Sequence, residues 1–127
     1  MTEASVARSL IKALKVEMPG SVVIKHADQF TSGIPDLSVT WSGRTVWLEL
    51  KVTPVKSKGI QHLTACRLAA AGLCRYVVYD ERKHKTFLVE PRWLDDMESR
   101  GIWVAGTLAV RQVLLINHLR ELINDHR

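Results

Sequence analysis

The sequence predicts an α/β domain with a mixed sheet, and three observations lead to that class. Periodic apolar patterns alternate along the chain in the order helix, three strands, helix, strand. Two of the strand patterns, 36–41 and 44–51, are joined by Ser42-Gly43, a plausible two-residue hairpin turn. The run 74–79 is almost continuously apolar, which is typical of a strand in the centre of a sheet.

The first helix is predicted over 3–16, where apolar residues recur at helical spacing and Thr2 is placed to cap the first turn. A short strand over 21–26 follows and leads through a loop to the hairpin. A helix over 60–71 and the strand over 74–79 complete the order α-β-β-β-α-β.

The segment 91–127 is predicted to be a helical extension of a core that spans residues 3–90. Its elements are a short helix over 91–100, a brief extended segment over 102–104 and a long helix over 107–125. Apolar residues spread widely around the long helix. This helix therefore either packs on two sides within one chain or offers a surface to a second copy.

The composition is that of one globular domain, 1–127, rather than two. The chain has 127 residues and a mass of 14.3 kDa, with 46% hydrophobic and 24% charged residues. Its formal charge of +5 and sequence pI near 9.5 suit a polyanionic partner. The positive charge is spread through the predicted elements, so any nucleic-acid affinity should come from a folded surface.

Neither a membrane nor an oxidising compartment is expected from the sequence. The first residues lack the basic and apolar regions of a signal peptide, and the apolar stretch over 102–116 is interrupted by polar residues and too short to span a bilayer. The two cysteines, Cys66 and Cys74, fit neither a zinc-binding spacing nor a disulfide framework. We therefore expect a cytoplasmic protein with reduced thiols.

The predicted hairpin places two acidic residues face to face. If Ser42-Gly43 forms the turn, Asp36 lies directly across from Glu49, and the apolar residues of the two strands match on the other face. Facing residues on antiparallel strands hold their Cβ atoms about 4.5–5.5 Å apart, so two carboxylates there need a shared proton or a cation between them. Lys51 lies on the same face, two residues beyond Glu49.

This arrangement suggests a metal-dependent site. Hard divalent cations such as Mg²⁺ take carboxylate oxygens, water and substrate phosphate as ligands. Asp36 and Glu49 are therefore candidate ligands for magnesium or manganese, and Lys51 could polarise the attacking water or neutralise the scissile phosphate. A lone Glu-x-Lys is common on solvated strand edges, but Pro-Asp, a hairpin and Glu-x-Lys in one matching register favour a site.

The motif Gly-Ile-Pro-Asp at 33–36, followed by Glu-Leu-Lys at 49–51, resembles the PD-(D/E)XK nuclease superfamily. More closely, it resembles the small stand-alone VRR-NUC domains of phages and bacteria. The resemblance extends from Glu3 to about Asp80. It implies a restriction-endonuclease-like α/β fold, in which helices flank a mixed central sheet.

The resemblance implies further site residues. Glu3 matches a glutamate near the start of the first helix that helps bind metal, with Glu17 as the competing acid. The backbone carbonyl of Leu50 would join the metal ligands, and Gln61 would help position water or phosphate. Each residue also has a simpler explanation, since an acid in a first helical turn is favourable near the helix dipole and a polar residue there is ordinary.

Four basic residues near the proposed site are candidate nucleic-acid contacts. Lys25 and His26 precede the Gly-Ile-Pro-Asp turn, where the family often has Lys-His. Lys56 and Lys58 lie in the loop after the hairpin, where they could contact the phosphate backbone without reading sequence. The alternatives are a strand-end histidine with satisfied hydrogen bonds and solvated loop lysines.

The resemblance implies a metal-dependent DNA endonuclease that leaves a 5′-phosphate and a 3′-hydroxyl. Branched DNA or a Holliday junction is the expected substrate, and a symmetric homodimer is the expected assembly. Two alternatives remain: a non-catalytic DNA-binding or phage assembly protein on the same fold, and a nickase or restriction-like nuclease that acts on ordinary duplex. An RNA substrate also stays open, because the named residues contact phosphate and do not report the sugar.

Overall fold

The structure, a computed structural model, describes residues 1–26, 34–55 and 60–125, without the side chains of Ile60, Gln61, Leu63 and Ala71. Its elements are α1 (Glu3–Glu17), β1 (Val22–Lys25), β2 (Leu37–Trp41), β3 (Arg44–Val52), α2 (Ile60–Ala71), β4 (Leu73–Asp80), β5 (Lys85–Val89), a 3₁₀-helix (Pro91–Asp96), α3 (Met97–Arg100), β6 (Ile102–Ala105) and α4 (Leu108–Asp125).

The six strands form one sheet in the order β1-β2-β3-β4-β5-β6. Neighbouring strands are antiparallel except for β3 and β4, which run parallel. A parallel pair needs a crossover connection, and α2 lies in that connection. The predicted order α-β-β-β-α-β from α1 to β4 is confirmed, and β5 and β6 extend the sheet beyond it.

The hairpin of β2 and β3 has the predicted register, because Leu37 pairs with Leu48 and Val39 pairs with Val46. The turn residues Ser42 and Gly43 have φ angles of 53° and 77°. Positive φ at both central positions is the signature of a type I′ turn, whose twist matches that of the strands it joins.

The sheet separates two apolar clusters, which define its two faces. On the face that we call the α1 face, strand residues such as Leu37 and Leu48 pack against α1 and α4. On the opposite face, the α2 face, Tyr76 and Phe87 pack against α2 and the 3₁₀-helix. Because side chains alternate along a strand, this division fixes the face on which each strand residue lies.

Helix α1 begins with the predicted cap. The Thr2 hydroxyl accepts a hydrogen bond from the Ser5 N–H, and the Ser5 hydroxyl accepts one from the Thr2 N–H, each at 3.0 Å. This reciprocal pair is a capping box, which satisfies donors that the helix itself leaves without partners. The buried side of the helix is formed by Val6, Ala7, Leu10 and Leu14.

The C-terminal segment adds a strand as well as helices. The helix predicted over 91–100 starts as a 3₁₀-helix, and only its last turn, α3, is α-helical. The extended segment becomes β6, which pairs with β5 at the edge of the sheet. Part of the apolar surface of α4 packs against α1 and the sheet, while another part stays exposed and is formed by Val110, Val113 and Leu114.

Buried polar side chains fix α4 to the sheet and to α1. Arg111 is only 1% exposed, and it donates hydrogen bonds to the carbonyls of Gly106 and Lys85 and to the Glu81 carboxylate. The Tyr79 hydroxyl donates to Gln112 at 2.9 Å. None of the helices formed by the described residues has the length and apolar character needed to cross a membrane.

Candidate active site

The candidate site lies in a row of residues that crosses the first four strands. The His26 N–H donates to the Asp36 carbonyl at 2.8 Å, which places these two residues side by side at the ends of β1 and β2. The Asp36 N–H donates to Oε1 of Glu49 at 3.2 Å, and Glu49 pairs with Tyr76 across the parallel strands. Glu49 alternates with Leu48 and Leu50, so this row faces the α2 side of the sheet.

The two carboxylates meet as the hairpin register predicts. The Asp36 N–H donates a hydrogen bond to the Glu49 carboxylate, and the Leu50 N–H donates one to Oδ2 of Asp36 at 2.8 Å. These bonds engage Oε1 of Glu49 and Oδ2 of Asp36. The backbone amides on either side therefore hold the pair in a fixed relative position.

Lys51 contributes a positive charge to the same spot. Its Nζ lies 4.0 Å from Oε2 of Glu49, and the whole residue is 9% exposed. The two side chains share a face because they are two positions apart on β3. The structure thus brings Asp36, Glu49 and Lys51 together.

Burial has a marked effect on Glu49, which is only 1% exposed. The pKa of Glu49 is raised to about 8, chiefly because burial disfavours the charged carboxylate. The neighbouring Asp36 side chain acts in the same direction, and Lys51 opposes both effects. Lys51 therefore compensates the buried charge only in part. A carboxylate pair in this environment is stabilised by a shared proton or by a bound cation.

The donor set suits a hard divalent cation. Two carboxylates beside the peptide of Leu50 supply the oxygen ligands that Mg²⁺ and Mn²⁺ take. Among the described residues, however, no group of three or more His, Cys, Asp or Glu side chains lies close enough together to hold a metal ion. The protein ligands would therefore be Asp36 and Glu49 with a backbone carbonyl, and water and phosphate would complete the shell.

Glu3 is not brought to the carboxylate pair. It is exposed on the first turn of α1, and α1 packs on the face of the sheet opposite to Glu49. The competing acid, Glu17, is half-buried at the other end of the same helix, where its carbonyl accepts a hydrogen bond from Arg120. Neither glutamate stands beside Asp36, so the role that the resemblance implies for Glu3 rests on the resemblance alone.

Of the two residues at the end of β1, one lies on the site's face. A hydrogen bond of 2.9 Å joins Nε2 of the His26 ring to the Ser38 hydroxyl. The ring also packs against Trp47, with ring centroids 5.1 Å apart. Lys25 pairs with Leu37 and therefore lies on the α1 face. A shared phosphate contact by Lys25 and His26 does not follow from this geometry, because their side chains leave the strand on opposite sides.

Three predicted residues cannot be placed in the site. Lys56 and Lys58 lie outside the described residues, and so does the side chain of Gln61. The backbone of Gln61 is in the first turn of α2, as predicted. The roles of these three residues stay predictions.

Several residues that neighbour the site could not be assigned a role from the sequence. Ser38 and Trp47 share the α2 face with Glu49, which strand alternation predicts, but neither residue type indicates chemistry by itself. Tyr76 lies beside Glu49 only because β3 and β4 are parallel, and the sequence does not give that register. The Tyr76 hydroxyl is 3.2 Å from Nδ1 of His62, which ties α2 to this part of the sheet.

Comparison with solved structures identifies the fold. Hjc, a Holliday junction resolvase from the archaeal hyperthermophile Archaeoglobus fulgidus, superimposes with a TM-score of 0.58 at 12% sequence identity, over 88% of this chain and 98% of Hjc. The fold is restriction-endonuclease-like. At this identity, the likeness between the two restriction-endonuclease-like structures concerns the fold alone.

The other comparisons do not assign the chain to a protein family. A bacterial homing endonuclease has a TM-score of 0.44 at 17% identity, over 94% of this chain and 90% of that one, which is too weak a similarity to support an argument. No protein-family model matches the sequence, and no curated protein matches it.

Proposed function

We propose that this protein is a metal-dependent DNA endonuclease, with Asp36, Glu49 and the carbonyl of Leu50 as its metal ligands and Lys51 as its catalytic cation. The observation that carries the proposal is the hydrogen-bonded pair of half-buried Asp36 and buried Glu49, with Lys51 Nζ 4.0 Å from the Glu49 carboxylate. Burial of a carboxylate that faces a second carboxylate is costly without a cation, and a purely structural strand pair gains nothing from it.

Each residue has a distinct part in the proposed hydrolysis. When bound, Mg²⁺ or Mn²⁺ would supply Lewis-acid chemistry, which lowers the pKa of a water and offsets charge on the phosphate. Asp36 and Glu49 would hold the ion, and the backbone amides that bind these two carboxylates keep their geometry fixed. Lys51 orients the attacking water or stabilises charge on the phosphate, and cleavage leaves a 5′-phosphate and a 3′-hydroxyl.

We further propose branched DNA, such as a four-way junction, as the substrate, in line with the VRR-NUC resemblance. Hjc, which shares the fold, is a Holliday junction resolvase. A homodimer would suit paired nicks on such a junction, because a two-fold axis relates two equal sites. The exposed apolar residues of α4 offer a surface for that contact.

The experiment is cleavage of an end-labelled four-way junction beside a linear duplex of matched sequence, each with Mg²⁺, Mn²⁺ or EDTA. We expect symmetric cuts on the junction with either metal and none in EDTA. Equal cutting of both DNAs would favour the alternative of a nuclease that acts on ordinary duplex.

A second candidate is a non-catalytic DNA-binding protein on the same fold. The observation in its favour is that the described residues do not bring Glu3 or another third acidic side chain to the pair. Tight binding of the junction without cleavage under any metal would support this candidate and contradict the proposed enzyme.

A further inference from the structure

A stripe of positive charge runs along the outer side of α1. Arg8, Lys12 and Lys15 are all exposed, and their spacing of four and three residues places them on one side of the helix. The stripe spans about 10 Å, since a helix rises about 1.5 Å per residue. We call these three residues the α1 stripe.

Within the described part of the chain, no acidic side chain forms an ion pair with the α1 stripe. Arg120 adds a further cation at the end of the helix, where its guanidinium donates to the Glu17 carbonyl. A row of cations of this kind is typical of a surface that meets a polyanion.

The apolar side of α1 indicates that this polyanion is a nucleic acid and not a membrane surface. A basic helix that binds a lipid surface inserts its apolar side among the acyl chains. In α1 this side is formed by Val6, Leu10 and Leu14, all fully buried against the sheet. The α1 stripe can therefore offer only charge, which suits the sequence-independent contact with phosphates.

The stripe and the candidate active site lie on opposite sides of the sheet. Glu49 and Lys51 face the α2 side, whereas α1 covers the other face. A linear duplex has a persistence length of about 150 base pairs, so bending one duplex from Glu49 around the sheet to the outer side of α1 is energetically costly. A DNA with more than one arm can contact both places without this bend.

From these observations we propose that the α1 stripe binds the phosphate backbone of a second duplex arm while the first arm lies at the Asp36–Glu49 pair. The length of the stripe matches about three phosphate-to-phosphate steps of one strand, each about 3.4 Å along the axis. Lys25 lies on this same face of the sheet and is exposed, so it adds to this surface rather than to the catalytic one. The inference rests on the proposed function in taking branched DNA as the partner.

The test compares two variants that remove the same charge. The stripe variant is Arg8→Gln, Lys12→Gln and Lys15→Gln. The control variant is Lys83→Gln, Arg92→Gln and Arg100→Gln, three exposed basic residues of the β4–β5 turn, the 3₁₀-helix and α3. Binding of a four-way junction and of a linear duplex is measured in EDTA, over a series of salt concentrations, for the wild type and both variants.

We expect the stripe variant to bind the junction at least about tenfold more weakly than wild type at 0.1 M salt. The slope of the logarithm of the binding constant against the logarithm of the salt concentration should be shallower by about two to three. Its affinity for the linear duplex should stay within about twofold of wild type. The control variant should bind the junction more tightly than the stripe variant does.

Three results would overturn the inference: equal weakening by both variants, equal weakening on both DNAs, or binding of phosphatidylserine vesicles through the stripe with unchanged junction affinity. Thermal unfolding checks that both variants fold, which exposed positions should permit. Because binding is measured without metal, a wild type that cuts no DNA would refute the proposed enzyme and leave this test intact.

Discussion

At the scale of single residues, Glu49 is the position where local structure and chemistry conflict. A glutamate on a strand is ordinary, but this one is buried and faces another carboxylate. The neighbouring Lys51 lies 4.0 Å away and offsets only part of that cost. Such a position is unfavourable for the metal-free fold and favourable for binding a cation.

This conflict predicts how stability changes with pH. The pKa of Glu49 is raised to about 8 in the folded state from 4.5 in the reference state, so between these pH values the folded state binds the proton and the unfolded state does not. The contribution of Glu49 to stability is therefore fully present below pH 4.5 and is lost as the pH rises toward 8. The decline is at most about 1.4 kcal/mol per pH unit, and the contribution is lowest above pH 8.

Chemical unfolding of the metal-free protein between pH 5 and 8 measures this slope, with Glu49→Gln as the matched control. The variant should lack the decline, because its amide does not titrate. Stabilisation of the wild type by added Mg²⁺ should grow as the pH rises toward 8 and above, because the proton competes less for the carboxylate. A wild type and a Glu49→Gln variant with parallel pH profiles would contradict the predicted titration.

Much of the site could be predicted from residue pattern, and the rest depends on tertiary contacts. Asp36 and Glu49 meet because strand alternation and one turn fix their register. Arg111 could not be identified as buried, because an arginine within an apolar helix usually extends to solvent. The face of Lys25 follows from its pairing with Leu37, which requires β1 to be placed beside β2.

At the scale of elements, the β2–β3 hairpin carries the site, and its turn is not optimal. Ser42 has a φ of 53°, a left-handed conformation that asparagine adopts more readily than serine. Ser42→Asn should raise the free energy of unfolding by about 0.5 kcal/mol. Ser42→Val, a β-branched residue at the same φ, should lower it, as denaturant titration can measure. A more stable valine variant would contradict the assigned turn type.

Helix α4 depends on one buried arginine. Arg111 donates to two backbone carbonyls and to Glu81, so Arg111→Met should lower the free energy of unfolding by about 3 kcal/mol. Lys83→Met is the control, because Lys83 pairs with Glu98 in full contact with solvent and its loss should have little effect. Denaturant unfolding measures both, and similar stabilities of the two variants would show that Arg111 does not hold α4 as described.

Among the elements, long periodic segments were predictable and the parallel pairing was not. The hairpin strands, α1 and α2 follow from local spacing and turn residues. The start of the helix over 91–100 is a 3₁₀-helix instead, with Pro91 and Leu94 buried. The apolar spacing of the sequence does not distinguish this geometry from an α-helix. Pairing of β3 with β4 places Tyr76 beside Glu49, and only the full fold determines that neighbour.

At the scale of the whole molecule, the proposed homodimer predicts a surface. Val110, Val113 and Leu114 are exposed on α4 and form an apolar patch with Ala109. Leu114→Lys should therefore shift the protein from dimer to monomer in light scattering or sedimentation. Val16→Lys is the control, since Val16 is 72% exposed on α1 and lies outside the patch. A dimer that survives Leu114→Lys, or is lost with Val16→Lys, would place the contact elsewhere.

The most direct test of the proposed active site is to measure cleavage and binding of a four-way junction in parallel for Lys51→Ala and Lys51→Met. Cleavage with Mg²⁺ should be lost in both variants, while junction binding in EDTA stays within a few fold of wild type. The methionine variant keeps the buried aliphatic chain, so its loss of cleavage would not be due to unfolding. If either variant cuts the junction at the wild-type rate, Asp36, Glu49 and Lys51 are not the active site.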